Sequence, residues 1–278
     1  MEQFKRDRNQ NSNKLNLDQY YTSDEVAQHC IDITKEILKE ENITEIIEPS
    51  AGNGVFSKKI KNCIAYDIEP KDDSIIKQDF LKLDIPYKQG RLFIGNPPFG
   101  ARNNLSLQFF KKCIKLGDYI AFIQPISQLN NGQQMYEFDL IYSEDLGEQL
   151  YSDKKLRCCL NIYTRPKNEL NKKQIYKFKD IEIKENRRMG CEIKNIENYD
   201  IGICSFGKGI IGKIPNHQGQ YVKEMYFKIN NDKLKNKIIE LISTTDWEKE
   251  VCNGTSGQFN LCQWQVYKYI KEQIPDIQ

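Results

Sequence analysis

A short apolar segment that ends at two prolines constrains the fold of this chain more than any other feature. Residues 92–95 are apolar and too few for a helix, so they predict a buried strand. Asn96 follows, and then Pro97 and Pro98, which lack the amide donor that a sheet ladder needs. The strand therefore ends at Asn96 and continues as a stiff loop. This loop lies at the carboxyl edge of a sheet, where open α/β sheets bind their ligands.

Short apolar segments alternate with helical patterns on both sides of this loop. We expect strands at 43–47, 63–66, 75–77, 91–95 and 119–123, and helices over 23–38, 55–61 and 106–114. Strands and helices that alternate at such short spacing predict an α/β fold with a doubly wound, mostly parallel sheet.

The first strand runs into a small-residue turn that is typical of a nucleotide site. The turn reads Glu-Pro-Ser-Ala-Gly-Asn-Gly over 48–54, and its glycines allow a ligand to approach the backbone. It lacks the later glycine of the dinucleotide fingerprint and the Lys-Ser/Thr pair of a P-loop. Glu48, at the end of the strand, instead suits a ligand with a cationic or amino group.

Carboxylates also follow the next two strands. Asp67 comes 19 residues after Glu48, the offset at which such a carboxylate commonly accepts both hydroxyls of a ribose, and Ile68 follows it. After the third strand, Asp79 is placed to accept from an adenine amine, and Phe80 to stack on the ring. These positions predict a pocket for an adenosine-bearing cofactor.

The Asn-Pro-Pro-Phe loop offers two acceptors and an aromatic ring to a planar amine. The side-chain oxygen of Asn96 and the carbonyl of Pro97 would bind the two hydrogens of such an amine, for example N6 of adenine, and so free its lone pair. Phe99 would stack on the ring, and the prolines, Pro98 included, would keep the loop rigid. By itself the pattern is equally consistent with a structural turn after a strand.

The order of these motifs resembles that of one enzyme family. The turn at 48–54, the Asp after strand two, Gln-Asp-Phe at 78–80 and Gly-Asn-Pro-Pro-Phe-Gly at 95–100 resemble the S-adenosylmethionine-dependent amino-methyltransferases of gamma motif order. The resemblance covers about residues 19–130. It includes Tyr20, Tyr21 and Thr22, which resemble the N-terminal cofactor segment of the family.

The resemblance implies a Rossmann-like class I methyltransferase fold, whose sheet ends in an antiparallel pair, and S-adenosylmethionine as the cofactor. It places Glu48, Ser50 and Gly52 around the methionine end, Asp67 at the ribose with Ile68 beside it, and Asp79 and Phe80 at the adenine. It assigns the target amine and base to Asn96, Pro97, Pro98 and Phe99, with Asn96 also next to the cofactor.

The second half of the chain is more basic than the first. Residues 151–230 contain 17 Lys and Arg against 9 Asp and Glu, so they carry +8 while the remainder carries −6. This asymmetry suggests contact with a polyanion, although solvated lysines explain it equally well. Arg187, Arg188, and Lys208 and Lys213 in a Gly/Lys loop are the candidates for phosphate contacts, while a hairpin turn explains the loop at least as well.

Composition adds three further expectations. The nine cysteines form no C-x-x-C pair and there are only two histidines, which predicts reduced thiols and no metal site. The sequence has no membrane-spanning segment and no signal peptide, so we expect a cytoplasmic or nuclear protein. Residues 1–17 are expected to form a mobile arm, 18–164 a catalytic domain, and 165–278 a substrate-recognition appendage.

These patterns together favour methylation of adenine N6 in DNA, with S-adenosylmethionine as the cofactor. Three alternatives stay open at this point: the same chemistry on RNA, at adenine N6 or guanine N2; methylation of a protein glutamine; and a silent partner of a methyltransferase complex. The basic second half favours nucleic acid over a peptide.

Overall fold

A computed structural model of the protein describes residues 22–151, 154–187, 196–250 and 259–278. The predicted arm at 1–17, and Tyr20, Tyr21 and Arg188, lie outside the described residues.

A seven-stranded sheet forms the larger part of the described chain. Its strands are β1 (Glu45–Glu48), β2 (Ile64–Asp67), β3 (Ile76–Lys77), β4 (Arg91–Gly95), β5 (Tyr119–Pro125), β6 (Asp139–Tyr151) and β7 (Lys154–Thr164). They lie in the order β3-β2-β1-β4-β5-β7-β6. The first five strands pair in parallel, whereas β7 is antiparallel to both β5 and β6. The predicted doubly wound, mostly parallel α/β sheet is confirmed, and the strands β7 and β6 at one end form the expected antiparallel pair.

The central strands are buried because helices cover both faces of the sheet. All residues of β4 and β5 are buried. Leu92 and Ile94 of β4 share a core cluster with the helix α1 (Asp24–Ile37), whereas Phe93 packs in the cluster of α2 (Asn104–Leu116). Alternate side chains of one strand therefore face opposite layers, as they do in a doubly wound fold.

Two parts of the sequence prediction are wrong at this level. The expected helix over 55–61 is a turn with a short 3-10 helix at Ser57–Lys59. It does not continue as an α-helix because the amide of Ser57 donates to the side chain of Glu48, while Gly54 has a φ of +78°. The long strand β6 was not predicted, because it is polar and contains two register shifts.

A second sheet has its own hydrophobic core. It consists of β8 (Ile181–Arg187), β9 (Ile201–Cys204) and β10 (Lys223–Ile229), all antiparallel, in the order β8-β10-β9. Helices α3 (Asp232–Thr244), α4 (Trp247–Glu250) and α5 (Gln263–Gln273) complete this unit. Trp247 and Ile270 are buried in its core, which contains residues from 181 to 277. The domain boundary near residue 165 stays a prediction.

The seven cysteines within the described ranges form no disulfide bond with one another. The described helices include none that is both long enough and apolar enough to cross a membrane. The described His, Cys, Asp and Glu side chains form no group of three or more that could hold a metal ion.

Candidate active site

The carboxyl ends of β1, β2 and β4 bring Glu48, Asp67 and Asn96 to one edge of the sheet. β1 lies between the other two strands and pairs in parallel with both. Gly95, the last residue of β4, lies over Glu48: a side chain there would begin 3.4 Å from Cγ of Glu48. Gly95 also has a φ of +150°, so only glycine fits this contact without strain.

Glu48 is a buried carboxyl group with an unusual protonation equilibrium. Only 1% of the residue is exposed, and its Oε2 accepts a hydrogen bond from the amide of Ser57 at 2.8 Å. Burial raises the pKa of Glu48 to about 7, and the negative charge of Asp67 adds to this effect. A cationic ligand beside Glu48 would favour the ionised form.

The turn after β1 is bound to Asp67. Gly52, with a φ of +57°, donates its amide to Oδ2 of Asp67 at 2.7 Å, and the amide of Glu69 donates to Oδ1 at 2.8 Å. Each oxygen keeps a further lone pair for a ligand hydroxyl. These two bonds hold the carboxylate at the end of β2, and Ser50 is half-buried in the same turn.

The residues predicted to bind an adenine ring differ in exposure. Asp79 is half-buried, accepts from the amide of Leu81 at 3.0 Å and pairs with Lys82. Phe80 is only 2% exposed and stacks on Phe109 in the core, with ring centroids 5.8 Å apart. Core side chains surround the ring of Phe80, and its stacking on an adenine stays a prediction. Ile68, which follows Asp67, is 45% exposed.

The Asn96 loop is anchored at both ends. Nδ2 of Asn96 donates to Oγ1 of Thr22 at 3.1 Å, so Oδ1 lies on the other branch of the carboxamide. The carbonyl of Phe99 accepts from the amides of Leu105, at 3.1 Å, and Ser106, at 3.4 Å. At Gly100, with a φ of +66°, a side chain would come within 2.8 Å of Cβ of Leu105. The loop is therefore packed directly onto the start of α2. Pro97 is buried and Pro98 half-buried within it.

A cleft of about 1270 Å³ extends from this loop to the second sheet. Phe99, Gly100 and Asn103 lie on one side of it, and Arg187, Phe206 and Trp264 on the other. The volume exceeds that of a single base and leaves room for neighbouring parts of a polymer. Phe99 thus connects the Asn96 loop to the cleft.

The predicted phosphate contacts are not gathered at one place. Arg187 lines the cleft, but its guanidinium pairs with Glu185 at 2.9 Å. Lys208 and Lys213 are exposed on the turn 207–213 and do not line the cleft. The amides of the turn are largely occupied: those of residues 207, 211, 212 and 213 all donate to protein groups. Phosphate binding here would therefore depend on the two ammonium groups, and the hairpin-turn alternative explains the backbone.

Comparison with known proteins gives matches only among solved structures. No family model matches the sequence, and no curated protein matches it. A provisionally assigned RNA methyltransferase from Pyrococcus horikoshii is 15% identical, with a TM-score of 0.41, and covers 54% of this chain and 87% of its own. A provisionally assigned class I S-adenosylmethionine-dependent methyltransferase from Listeria monocytogenes is 11% identical, with a TM-score of 0.43. The match covers 59% of this chain and 66% of the Listeria chain. A magnesium protoporphyrin IX methyltransferase from Synechocystis, with bound S-adenosylmethionine, is 9% identical, with a TM-score of 0.38. The match covers 51% of this chain and 80% of the Synechocystis chain.

Proposed function

We propose that this chain transfers a methyl group from S-adenosylmethionine to the exocyclic N6 amine of adenine in DNA. One observation carries the proposal: Asn96 directly follows the buried strand β4, whose last residue Gly95 lies over Glu48, and its loop continues into the wall of a large cleft through Phe99. An amide acceptor, a buried carboxyl group and an aromatic ring thus occupy the same sheet edge.

The residues at this edge fit the proposed cofactor. S-adenosylmethionine supplies a methyl group on a sulfonium centre, together with an ammonium, a ribose and an adenine for recognition. Glu48, whose charged form is disfavoured by burial, would regain its ionised state beside the ammonium group. Asp67 would accept the ribose hydroxyls, and Ile68 and Asp79 would contact the adenine. Thr22 would close the pocket from the start of α1.

Asn96 and Pro97 would act on the target amine by hydrogen bonding. Oδ1 of Asn96 and the Pro97 carbonyl would each accept one hydrogen of N6, which favours a pyramidal nitrogen with a free lone pair. Thr22, bound to the other branch of the carboxamide, fixes the direction in which Oδ1 points. The amine needs no base before it reacts, because it becomes acidic only after it has gained the methyl group. The chain therefore contributes orientation and electrostatics.

The recessed position of the loop has a consequence for the substrate. Phe99 is buried, so a base inside a duplex could not reach it without leaving the stack. We expect single-stranded or unpaired adenine to be methylated faster than paired adenine.

The decisive experiment is incubation with isotope-labelled S-adenosylmethionine and separate pools of DNA, RNA and protein, followed by mass spectrometry of the nucleosides and amino acids. We expect N6-methyladenine in the DNA pool. Label in RNA alone would move the proposal to RNA, and label on glutamine would overturn it. Failure of the protein to bind the cofactor in calorimetry would overturn the enzymatic assignment itself.

A further inference from the structure

Asn103 is a buried amide whose side chain makes no hydrogen bond to the described protein. It precedes α2 in the left-handed conformation, with φ 62° and ψ 18°, and does not cap the helix. The residue is 7% exposed, and neither Nδ2 nor Oδ1 has a partner within the ranges that the structure describes. It lines the cleft beside Phe99 and Gly100.

Backbone conformation explains only part of this residue. Asparagine tolerates a positive φ better than most residues, but glycine would do so without placing a polar group in a buried position. A buried amide without a partner costs the full desolvation of its donor and acceptor. Such a group is expected where a ligand completes its hydrogen bonds.

A second amide on the same cleft indicates what kind of ligand this is. Gln128 is buried, its Nε2 donates to Oε1 of Gln134 at 3.0 Å, and its own Oε1 lacks a partner among the described residues. Asn103 and Gln128, which both line the cleft, thus carry one donor and two acceptors that no described residue satisfies. Phosphate oxygens would be repelled by such acceptors, whereas the polar edge of a base or the hydroxyl of a sugar matches them.

We propose that Asn103 determines specificity for the target base, a step that rests on the proposed function. Its Nδ2 donates to a ring nitrogen next to the amine that Asn96 holds, while Phe99 covers the face of the ring. In adenine, both N1 and N7 flank the C6 amine, and both are acceptors. Guanine has the N1–H donor on one side of its amine and the N3 acceptor on the other, so it satisfies the Asn103 donor in only one of two orientations.

Two substitutions test this role without disturbing the backbone. Asn103→Gly keeps the positive φ and removes the carboxamide, whereas Asn103→Asp keeps the shape and removes the donor. Each variant should lower kcat/KM on an adenine oligonucleotide by roughly tenfold to a hundredfold, in line with the discrimination that one such contact provides. Asn104→Ala, at an exposed neighbour on the same turn, is the matched control and should keep wild-type kcat/KM.

Modified substrates identify the atom that is contacted. Oligonucleotides with 1-deaza-adenine or 7-deaza-adenine at the target lack one ring acceptor each. The wild type should lose activity on one of them, and on that substrate Asn103→Gly should cause no further loss. An Asn103→Gly enzyme with wild-type kcat/KM, or with the same loss on all three substrates, would overturn the inference. A wild type that methylates no nucleic acid would instead overturn the proposed function.

Discussion

The carboxyl edge of the seven-stranded sheet and the turn 207–213 of the second unit both carry residues that the sequence marks as functional, but they are built differently. At the sheet edge, Glu48 is buried beside Gly95, and Asn96 is oriented by Thr22. In the turn, the lysines are exposed, and Gly212 is needed because a side chain there would come within 2.8 Å of Trp247. The sheet edge holds polar groups in a fixed arrangement, whereas the turn mainly closes a hairpin against its own core.

This difference shows which kind of sequence signal predicts a site. Topology forces the ends of parallel neighbouring strands to one edge, so polar residues at those positions converge whatever their distance in sequence. Positive charge has no such constraint, and a lysine-rich segment can be solvated everywhere. The predictions below test whether the same difference appears in function.

Asn96→Ala should have the largest effect. Removal of the amide oxygen deprives the amine of one of its two acceptors, so kcat should fall by roughly a hundredfold to a thousandfold. Cofactor affinity, measured by calorimetry, should stay within a few-fold of wild type. Loss of cofactor binding in this variant would show that Asn96 acts on the cofactor and not on the substrate.

Glu48→Gln should weaken cofactor binding by roughly tenfold to a hundredfold, since a charge-assisted hydrogen bond is replaced by a neutral one. Because the pKa of Glu48 in the free protein is raised to about 7, wild-type affinity should also fall as the pH drops below 7, whereas that of the variant should not. Titration calorimetry between pH 6 and 8 measures both. Equal pH dependence in the two proteins would assign the titration to another group.

The same substitution should alter stability in the opposite direction. The fold prefers the protonated form of Glu48, so its contribution to the unfolding free energy is greatest below pH 4.5 and is lost as the pH rises through about 7. Glu48→Gln should therefore stabilise the free protein at pH 8, by at most about 3 kcal/mol, and the gain should vanish near pH 4.5. Thermal unfolding at several pH values tests this, and a gain that is independent of pH would contradict it.

A matched pair of glycines compares the packing of the two regions. Gly100 and Gly209 both have positive φ, but at Gly209 a side chain would meet no atom within 4 Å among the described residues. Gly209→Ala should lower the unfolding free energy by about 1 kcal/mol through backbone strain alone. Gly100→Ala should lower it by about 3 kcal/mol, because the new methyl group also collides with Leu105. Urea unfolding measures both free energies. Equal losses would mean that the loop at Gly100 moves to accommodate the methyl group without a further loss of stability.

Substitution of the exposed lysines should have the smallest effect. A Lys208→Gln, Lys213→Gln double variant should weaken DNA binding only a few-fold and reduce the slope of log K against log salt by about 2. Lys233→Gln, at an exposed position on α3, is the control. An unchanged salt slope in the double variant would remove the turn from the DNA interface.

The strands around the site were predictable from the sequence because they are buried on both faces. A continuous apolar run such as 119–123 has few alternatives, and the breakers after β4 mark its end. β6 was not predicted because it lies at the edge of the sheet. Glu144, Asp145 and Glu148 interrupt the alternation of apolar and polar residues that would mark it as a strand. The expected helix at 55–61 does not form because the side chain of Glu48, which precedes the helical pattern, accepts a hydrogen bond from the backbone amide of Ser57.

Individual roles within the site were less predictable than its position. The sequence places Phe80 next to Asp79, but only the packing of Phe109 and Phe93 against it shows that its ring belongs to the core. Asn103 gave no signal, because an asparagine before a helix is ordinarily a cap. Its importance follows from the burial of an amide without a partner, which depends on the folded surroundings.

The hydrogen bond between Thr22 and Asn96 joins the beginning of α1 to the loop after β4, 74 residues later. A ligand that shifts Thr22 must also rotate the carboxamide, and a ligand that grips the carboxamide must hold Thr22 in place. Thermodynamic reciprocity then requires each ligand to change the affinity of the other by the same factor. We therefore expect the methyl donor and the methyl acceptor to bind cooperatively. Thr22→Val, which replaces the hydroxyl with a methyl group, should uncouple their binding.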